Sequence, residues 1–369
     1  MKRKGIAIFI SAFVFFLCIQ TNVSAESDYG QESIYDALPD EVQSQFDEED
    51  ITSGTAITEM SPESVFSSLL SIAAEKIKEP FTLFISLLGV ILLCAMVELL
   101  QDSSGSSSVS EVFRIVGVLA GTGIMCGFIG SAMEAVKAAI DNYSTFLLTY
   151  IPAFAGILAV NGQAATAATY NVLIVSVSEF FAQSASAALI PAISCILGIS
   201  AAGAINPELN IQNLAEIAKK AINWTLGILM TAFAGLLSVQ SFITSATDTV
   251  ALKTAKFTVS STVPIVGGAV SEALGTVKSC VSLLKSSVGS FGIVAALAII
   301  IPTLIMTFCF RFAFSAASAA SEMFGTKKLT SLLKCGESIM SIMNAVLICL
   351  AVLVVVSTAL MLSLGGGGN

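Results

Sequence analysis

Long runs of apolar residues recur along this chain, and they are long enough to cross a lipid bilayer as helices. The run Phe81–Leu100 rises about 30 Å as a helix, which matches the thickness of the hydrocarbon core. Backbone N–H and C=O groups in lipid must be satisfied within the segment, so such a run predicts a transmembrane helix. The other predicted spans are 115–133, 145–160, 169–183 joined to 187–205, 222–243, 291–310 and 339–364.

Together these runs predict an all-α, polytopic membrane protein. We expect about seven spans, within a range of six to eight, with amphipathic helices as connectors. The least defined pair lies within residues 166–205, where only Gln183 and Ser184 separate two apolar runs. The predicted multi-span domain occupies residues 81–364, and a glycine-rich, flexible tail follows at 365–369.

Composition narrows the classes of function. Only 12% of the residues are charged, against about a quarter in an ordinary soluble domain. The chain contains no histidine, which excludes Ser-His-Asp and Cys-His catalysis, histidine-ligated zinc and histidine proton relays. Walker, HExxH and GxSxG motifs are absent as well. We therefore expect no enzyme, no catalytic residue, no cofactor and no nucleic-acid partner.

The N-terminus has the order of a secretory signal peptide, residues 1–25. Three basic residues, Lys2 to Lys4, precede the apolar run Gly5–Ile19, and a group of small residues ends at Ala25. We predict cleavage after Ala25. The alternative is an uncleaved anchor helix, for which the run is shorter than the roughly 20 residues that span a bilayer. Both a cleaved signal peptide and an uncleaved anchor helix would deliver the following residues to the outer side of the membrane.

An acidic segment follows the signal peptide. Residues 26–79 contain fourteen acidic residues and two lysines, whereas residues 80–369 carry twelve residues of each charge. Residues 26–60 hold too few apolar side chains to offset the loss of chain entropy, so we predict that this exported segment is mostly disordered. A short helix near Ser33–Leu38, or one after Pro39, is the exception that we consider able to dock on a partner.

Residues 61–80 combine a helix start with an amphipathic pattern. Ser61 and Pro62 form an N-cap followed by proline at the first helical position, and apolar residues then recur at helical spacing. This predicts a helix lying on the outer membrane surface. The lysine and arginine residues of the predicted loops divide equally between the two sides, so only the signal peptide indicates the orientation.

Two ionisable residues, Glu179 and Arg311, form the candidate intramembrane polar site. Glu179 lies within a predicted span, and Arg311 lies at the end of another. A charge at this depth costs a few kcal/mol, which makes it a functional hypothesis by default. Glu179 could be protonated, could line a polar path, or could pair with a basic residue of a neighbouring helix. A helix–helix contact without any transport role is the equally weighted alternative.

Glycines along the second span form a candidate helix-packing surface. Gly117 and Gly121 are four residues apart, as are Gly123 and Gly127, and this spacing allows helix backbones to approach closely. Packing against other spans of this chain explains most of such a surface, and assembly with other subunits is the alternative explanation for the rest. A homo-oligomer is left open.

The eight cysteines indicate neither disulfides nor a metal site. None forms a CxxC pair, and most lie inside predicted spans, where cysteine behaves as a small hydrophobic residue. The exported acidic segment contains no cysteine, so the chain has no disulfide framework typical of secreted domains.

One block of the sequence resembles a known family. It comprises Lys253–Phe257, Val263–Gly268, Ser271–Leu274, Cys280 and Leu284–Gly289. These residues, together with the Leu-Pro-Asp-Glu run at Leu38–Glu41 and the order of signal, acidic segment and membrane body, are similar to the stage III sporulation protein AE family of endospore-forming bacteria. The resemblance covers nearly the whole chain, and its most specific part is residues 253–289.

The resemblance implies a location and partners. It implies a multi-pass protein of the cell membrane, in the mother-cell membrane around the forespore, within a channel complex that contains other stage III sporulation proteins. Membrane lipid is the other expected partner. The resemblance also implies that this complex maintains the forespore and its late gene expression. The resemblance supplies no catalytic residues.

Two functions of different classes follow. The first is a non-enzymatic, structural or export-channel subunit of that sporulation complex. The second is an autonomous secondary transporter that uses Glu179 as its coupling carboxylate.

Overall fold

Helices account for almost all of the chain that the structure describes. This computed structural model describes residues 31–48, 78–104, 107–184, 190–205, 211–262 and 267–363, and no strand occurs within those ranges. The described helices are α1 Gln31–Asp36, α2 Asp40–Glu48, α3 Lys78–Ser104, α4 Ser107–Val160, α5 Ala164–Ser184, α6 Ile190–Ile205, α7 Ile211–Thr262, α8 Gly267–Met323 and α9 Lys327–Ser363.

Six of these helices are long and apolar enough to cross a membrane, which confirms the predicted all-α, polytopic membrane class. The number lies at the lower end of the predicted range and is one fewer than the seven expected. The six spanning segments are Lys78–Met96, Ile115–Val160, Ala164–Ser184, Glu216–Asp248, Lys285–Met323 and Lys327–Leu362.

The predicted spans 115–133 and 145–160 are one continuous helix, α4. The prediction of two separate spans was wrong, since no glycine or proline occurs from Ser131 to Ile151 to end the first helix. Glu134, Lys137 and Asp141 in this stretch remain exposed on the helix surface, and all three types are compatible with a helix. The 46-residue span of α4 is about 69 Å long, so it tilts or extends beyond the hydrocarbon core.

The pair predicted within residues 166–205 also differs from expectation. The first run lies within α5, which has the length of a full span. The second run forms α6, of which only the ten residues Ile190–Ile199 count as a short apolar helix. Because about 20 residues are needed to cross a bilayer, α6 is too short to be a separate span.

Several predicted regions lie outside the described residues. They include the signal peptide at 1–25, most of the surface helix predicted at 61–80 and the tail at 365–369. Residues 31–48 of the acidic segment are described, and they form α1 and α2, near the two positions where short helices were the predicted exception to disorder. Burial of Ile34, Leu38, Val42 and Phe46 provides the apolar contacts that the low hydrophobic content of the segment did not predict.

A helical hairpin of α8 and α9 forms the centre of the bundle. These two helices pack together more extensively than any other pair, and α9 also packs against α4 and α7. The connecting turn contains Gly325 at φ 77°, a conformation that favours glycine. Thr326 N–H donates to Ser321 C=O (3.1 Å), and Gly325 N–H donates to Glu322 C=O (3.1 Å). This pair of bonds is the Schellman motif, which satisfies carbonyl groups at a helix end.

A second turn of the same kind joins α4 to α5. Gly162 has φ 81°. Its N–H donates to Ala159 C=O (3.0 Å), and Gln163 N–H donates to Leu158 C=O (3.0 Å). The turn reverses the chain within three residues, so α5 packs antiparallel against the C-terminal half of α4.

Aromatic side chains fill the bundle interior beside this turn. Phe146, Tyr150 and Phe154 repeat at four-residue spacing on α4 and are fully buried. Their rings stack successively, with centroids 5.5 Å and 5.7 Å apart, and Phe154 meets Tyr170 of α5 edge to face at 5.7 Å. Gly292 of α8 faces Tyr150 so closely that a Cβ atom there would overlap its ring. The absence of a side chain at Gly292 thus allows α8 to reach the aromatic stack.

Substitution of Gly292 tests this packing. We expect Gly292→Ala to lower the free energy of unfolding by about 1–3 kcal/mol, because the added methyl group displaces the Tyr150 ring in a filled core. Thermal unfolding of the detergent-purified protein measures the effect. Gly227→Ala is the matched control, since Gly227 is also helical but has no atom within 4 Å of the added group. Equal unfolding temperatures for the two variants would contradict the proposed packing.

Candidate functional site

Glu179 lies on α5 and faces α4. Its Oε2 accepts a hydrogen bond from Ser144 Oγ of α4 at 3.0 Å, and its Oε1 accepts a longer one from Gln183 Nε2 at 3.5 Å. These donors are neutral, and the side chain is half-buried. Of the roles predicted for Glu179, this geometry fits a polar contact between two spans.

Arg311 is not brought together with Glu179. Its Nε lies 3.7 Å from Oε1 of Glu337, which links α8 to α9, and the two side chains are 39% and 27% exposed. Lys334 pairs with Glu322 across the same two helices. Exposed ion pairs contribute about 0–1 kcal/mol, so these contacts orient the hairpin more than they stabilise it. The candidate polar site is therefore two separate features.

The two glycine pairs of α4 face different surroundings. A Cβ atom on Gly117 would overlap Cys94 Sγ of α3, and one on Gly121 would lie 2.8 Å from Leu329 Cδ1 of α9. Gly123 and Gly127 have no atom within 4 Å of the same position. The first pair thus packs inside this chain, whereas the second pair lies on the outer surface of α4.

This difference gives a direct test of the two pairs. We expect Gly121→Leu to destabilise the protein by at least about 2 kcal/mol, since the new side chain collides with Leu329 and Val90. Gly127→Leu is the matched control on the same helix, and we expect a change within about 0.5 kcal/mol. Denaturation in detergent micelles provides the comparison. Comparable destabilisation by both variants would show that the outer pair is also packed within the chain.

A buried carboxylate, Asp248 of α7, caps the N-terminus of α5. It is 6% exposed and accepts hydrogen bonds from Ala165 N–H (3.0 Å), Thr166 N–H (3.1 Å) and Thr166 Oγ1 (2.7 Å). Ala165 and Thr166 are the second and third residues of α5, whose N–H groups lack partners within the helix. An N-cap side chain normally satisfies them, but here a different helix supplies the acceptor.

Lys285 lies at the same end of the bundle. It is 2% exposed, and its Nζ donates to Gln163 Oε1 at 3.2 Å. Gln163 belongs to the turn that precedes α5, so α8 is joined to the start of α5 just as α7 is through Asp248. We call this group, Gln163, Thr166, Asp248 and Lys285, the polar cap of the bundle.

Sequence reasoning missed the polar cap and a second buried polar contact. Thr307 Oγ1 of α8 donates to Asn344 Oδ1 of α9 at 2.7 Å, and both residues are buried in the hairpin. The available signal was the rarity of ionisable and amide residues in apolar runs. That signal marks Asp248 and Asn344 as unusual but does not identify their partners, which lie on other helices.

Substitution of Asp248 tests the cap. We expect Asp248→Ala to lower the free energy of unfolding by about 1–2 kcal/mol, because the N–H groups of Ala165 and Thr166 lose their acceptor. Asp248→Asn retains an acceptor oxygen, so this variant should lower the free energy of unfolding by less than Asp248→Ala does. Denaturation in detergent micelles measures the free energy of unfolding. The rate of amide hydrogen exchange at the start of α5 measures the protection of the N–H groups. Equal exchange at Ala165 and Thr166 in wild type and Asp248→Ala would argue against capping.

Comparison with known proteins identifies the family. The model of the family "Stage III sporulation protein AE" matches residues 45–365, which includes all six spanning helices. The chain belongs to the stage III sporulation protein AE family. The predicted resemblance is thus confirmed, and the match includes the block at residues 253–289. All of α1 and the first part of α2, residues 40–44, lie before the matched residues.

A curated member of this family supports the same assignment. Stage III sporulation protein AE of Bacillus subtilis (strain 168) is 25% identical over 265 residues, which cover 72% of this chain and 66% of that protein. The alignment therefore spans slightly less than two thirds of the relative. No solved structure matches the chain. The family is named for sporulation. The six long apolar helices of this chain make it a multi-pass membrane protein.

Proposed function

We propose that this protein is a non-enzymatic membrane subunit of the sporulation channel or export complex that links the mother cell to the forespore. In this role it supports forespore maintenance and late forespore gene expression, together with other stage III sporulation proteins. The observation that carries the proposal is the family match, which runs through the whole membrane bundle. The bundle is therefore the part of this protein that the family match covers.

The packing of the bundle supports a role as a subunit. Its interior is filled by aromatic rings at the level of Tyr150, while apolar side chains such as Trp224 and Ile228 of α7 are largely exposed. A surface of this kind is covered by lipid or by other membrane helices. A filled interior and an extensive apolar exterior fit a component that contributes to an assembly through its outer faces.

The position of α2 from the acidic segment fits an orientation with the polar cap outside the cell. Phe46 of α2 packs edge to face against Phe291 of α8, with ring centroids 6.1 Å apart, and Phe291 is less than two helical turns from Lys285. The predicted signal peptide would deliver the acidic segment to the outer side. We therefore place the polar cap at the outer face and the α8–α9 turn at the inner face.

Purification from sporulating cells tests the proposed role. We expect a tagged chain to recover other stage III sporulation proteins, and Glu179→Gln to sporulate normally, because an amide retains an acceptor oxygen for Ser144. Wild type and variant are compared by mass spectrometry of co-purified proteins and by counts of heat-resistant spores. A chain that purifies alone, with partners absent at every stage, would contradict a subunit role.

A secondary transporter that uses Glu179 as its coupling carboxylate is the alternative, and its support is the position of this half-buried carboxylate within a spanning helix. Reconstitution of the chain alone in lipid vesicles distinguishes the two functions. Substrate or proton flux that Glu179→Gln abolishes would establish the transporter and exclude the subunit proposal as stated.

A further inference from the structure

One face of α4 remains exposed along the helix, within the part of the chain that the structure describes. Its residues follow one another at intervals of three, four or seven positions, which places them in a single row. Met125 and Ile129 of the same helix point into the bundle and are fully buried. We call the exposed row the outer face of α4. It comprises Val116, Leu119, Gly123, Gly127, Glu134, Lys137 and Asp141.

The charged residues of this face alternate in sign. Glu134, Lys137 and Asp141 are exposed, and none of them forms an ion pair with another described residue. The stretches of α4 on both sides of them, 115–133 and 142–160, contain no charged residue. A charge on a spanning helix is stabilised by water or by an opposite charge nearby. The row therefore favours a partner that presents the matching charges at the same level.

A second copy of this chain presents those charges. Copies of a membrane protein are inserted in the same orientation, so two α4 helices that meet about a two-fold axis are parallel and at the same level. Lys137 of each copy then lies between the levels of Glu134 and Asp141 of the other. Each lysine thus meets two carboxylates across the interface, and the charge pattern is complementary to itself.

The glycines of the outer face allow two such helices to approach. A Cβ atom on Gly123 or Gly127 would have no atom within 4 Å, so packing inside this chain does not require glycine at either position. Between membrane helices, glycines at this four-residue spacing permit backbone contact and a right-handed crossing of about −40°. The helices diverge from that crossing toward residues 134–141, where long charged side chains reach across the wider gap.

We propose that the outer face of α4 is the interface of a parallel homodimer, in which Lys137 of each copy pairs with Glu134 and Asp141 of the other and the helices cross at Gly123 and Gly127. Because this face is exposed in the single chain, pairing leaves the helix contacts of the bundle unchanged. The proposal does not depend on the sporulation role, since a transporter can also be a dimer.

Energy transfer between labelled copies in phospholipid vesicles tests the dimer. Full chains that carry a donor or an acceptor fluorescent protein at the C-terminus are reconstituted together, and transfer is measured at decreasing ratios of protein to lipid. We expect transfer that saturates with protein density and yields a dissociation constant for the wild type. Transfer that rises only in proportion to acceptor density, as for chains that do not associate, would overturn the proposal.

Charge inversion tests the pairing of the row. Lys137→Glu leaves only carboxylates at the interface and should weaken association at least about tenfold. The triple variant Glu134→Lys, Lys137→Glu, Asp141→Lys inverts the whole row, so its copies should associate with one another about as tightly as wild-type copies do. The triple variant mixed with wild type should associate weakly, because like charges then meet. Equal affinity of the mixed and matched pairs would exclude charge pairing at this face.

Gly127→Leu tests the helix crossing. The new side chain should hold the two α4 helices apart and weaken association at least about tenfold, whereas the fold of the single chain should remain stable. Gly235→Leu is the matched control, because Gly235 of α7 is also exposed and has no atom within 4 Å of an added Cβ atom. Unchanged association of Gly127→Leu, or an equal loss in Gly235→Leu, would contradict an interface at the outer face of α4.

Discussion

The need to satisfy backbone polar groups in an apolar environment governs this structure. Helices meet that need along their length but leave N–H and C=O groups unpaired at their ends. At the short connections between helices, particular residues satisfy these unpaired groups. Gly162 and Gly325 allow Schellman turns, and Asp248 of α7 supplies the acceptor that α5 lacks at its own N-terminus. The same contact fastens α7 to the bundle, so end-capping and helix packing are coupled.

Packing between the spans depends on close fit, because burial in lipid does not itself drive helices together. Glycine at positions 117, 121 and 292 allows α3, α9 and the aromatic stack to approach, and the Thr307–Asn344 hydrogen bond joins the central hairpin. These features make the chain a closed bundle with an apolar exterior. That character fits a subunit of a larger membrane assembly, as proposed for this member of the stage III sporulation protein AE family.

The class of fold was predictable from the sequence, whereas the number of spans was not. Hydropathy identifies apolar segments but does not show whether the chain turns between them. In α4 the charged residues Glu134, Lys137 and Asp141 lie between two predicted spans, yet the helix continues through them because no glycine or proline occurs from Ser131 to Ile151. The converse holds for α1 and α2, where four well-spaced apolar side chains are buried despite an acidic composition. Neither feature is visible in a hydropathy average.

The sequence by itself determined that this protein is a helical membrane protein without histidine chemistry, and it pointed to the family through residues 253–289. Only the tertiary structure decided that Glu179 contacts Ser144 while Arg311 contacts Glu337, and that Gly121 is packed while Gly127 is exposed. The physical reason is that hydropathy and helix periodicity are local properties of the chain. The partner of a polar or small residue depends on which helix lies opposite, and that is set by the packing of the whole bundle.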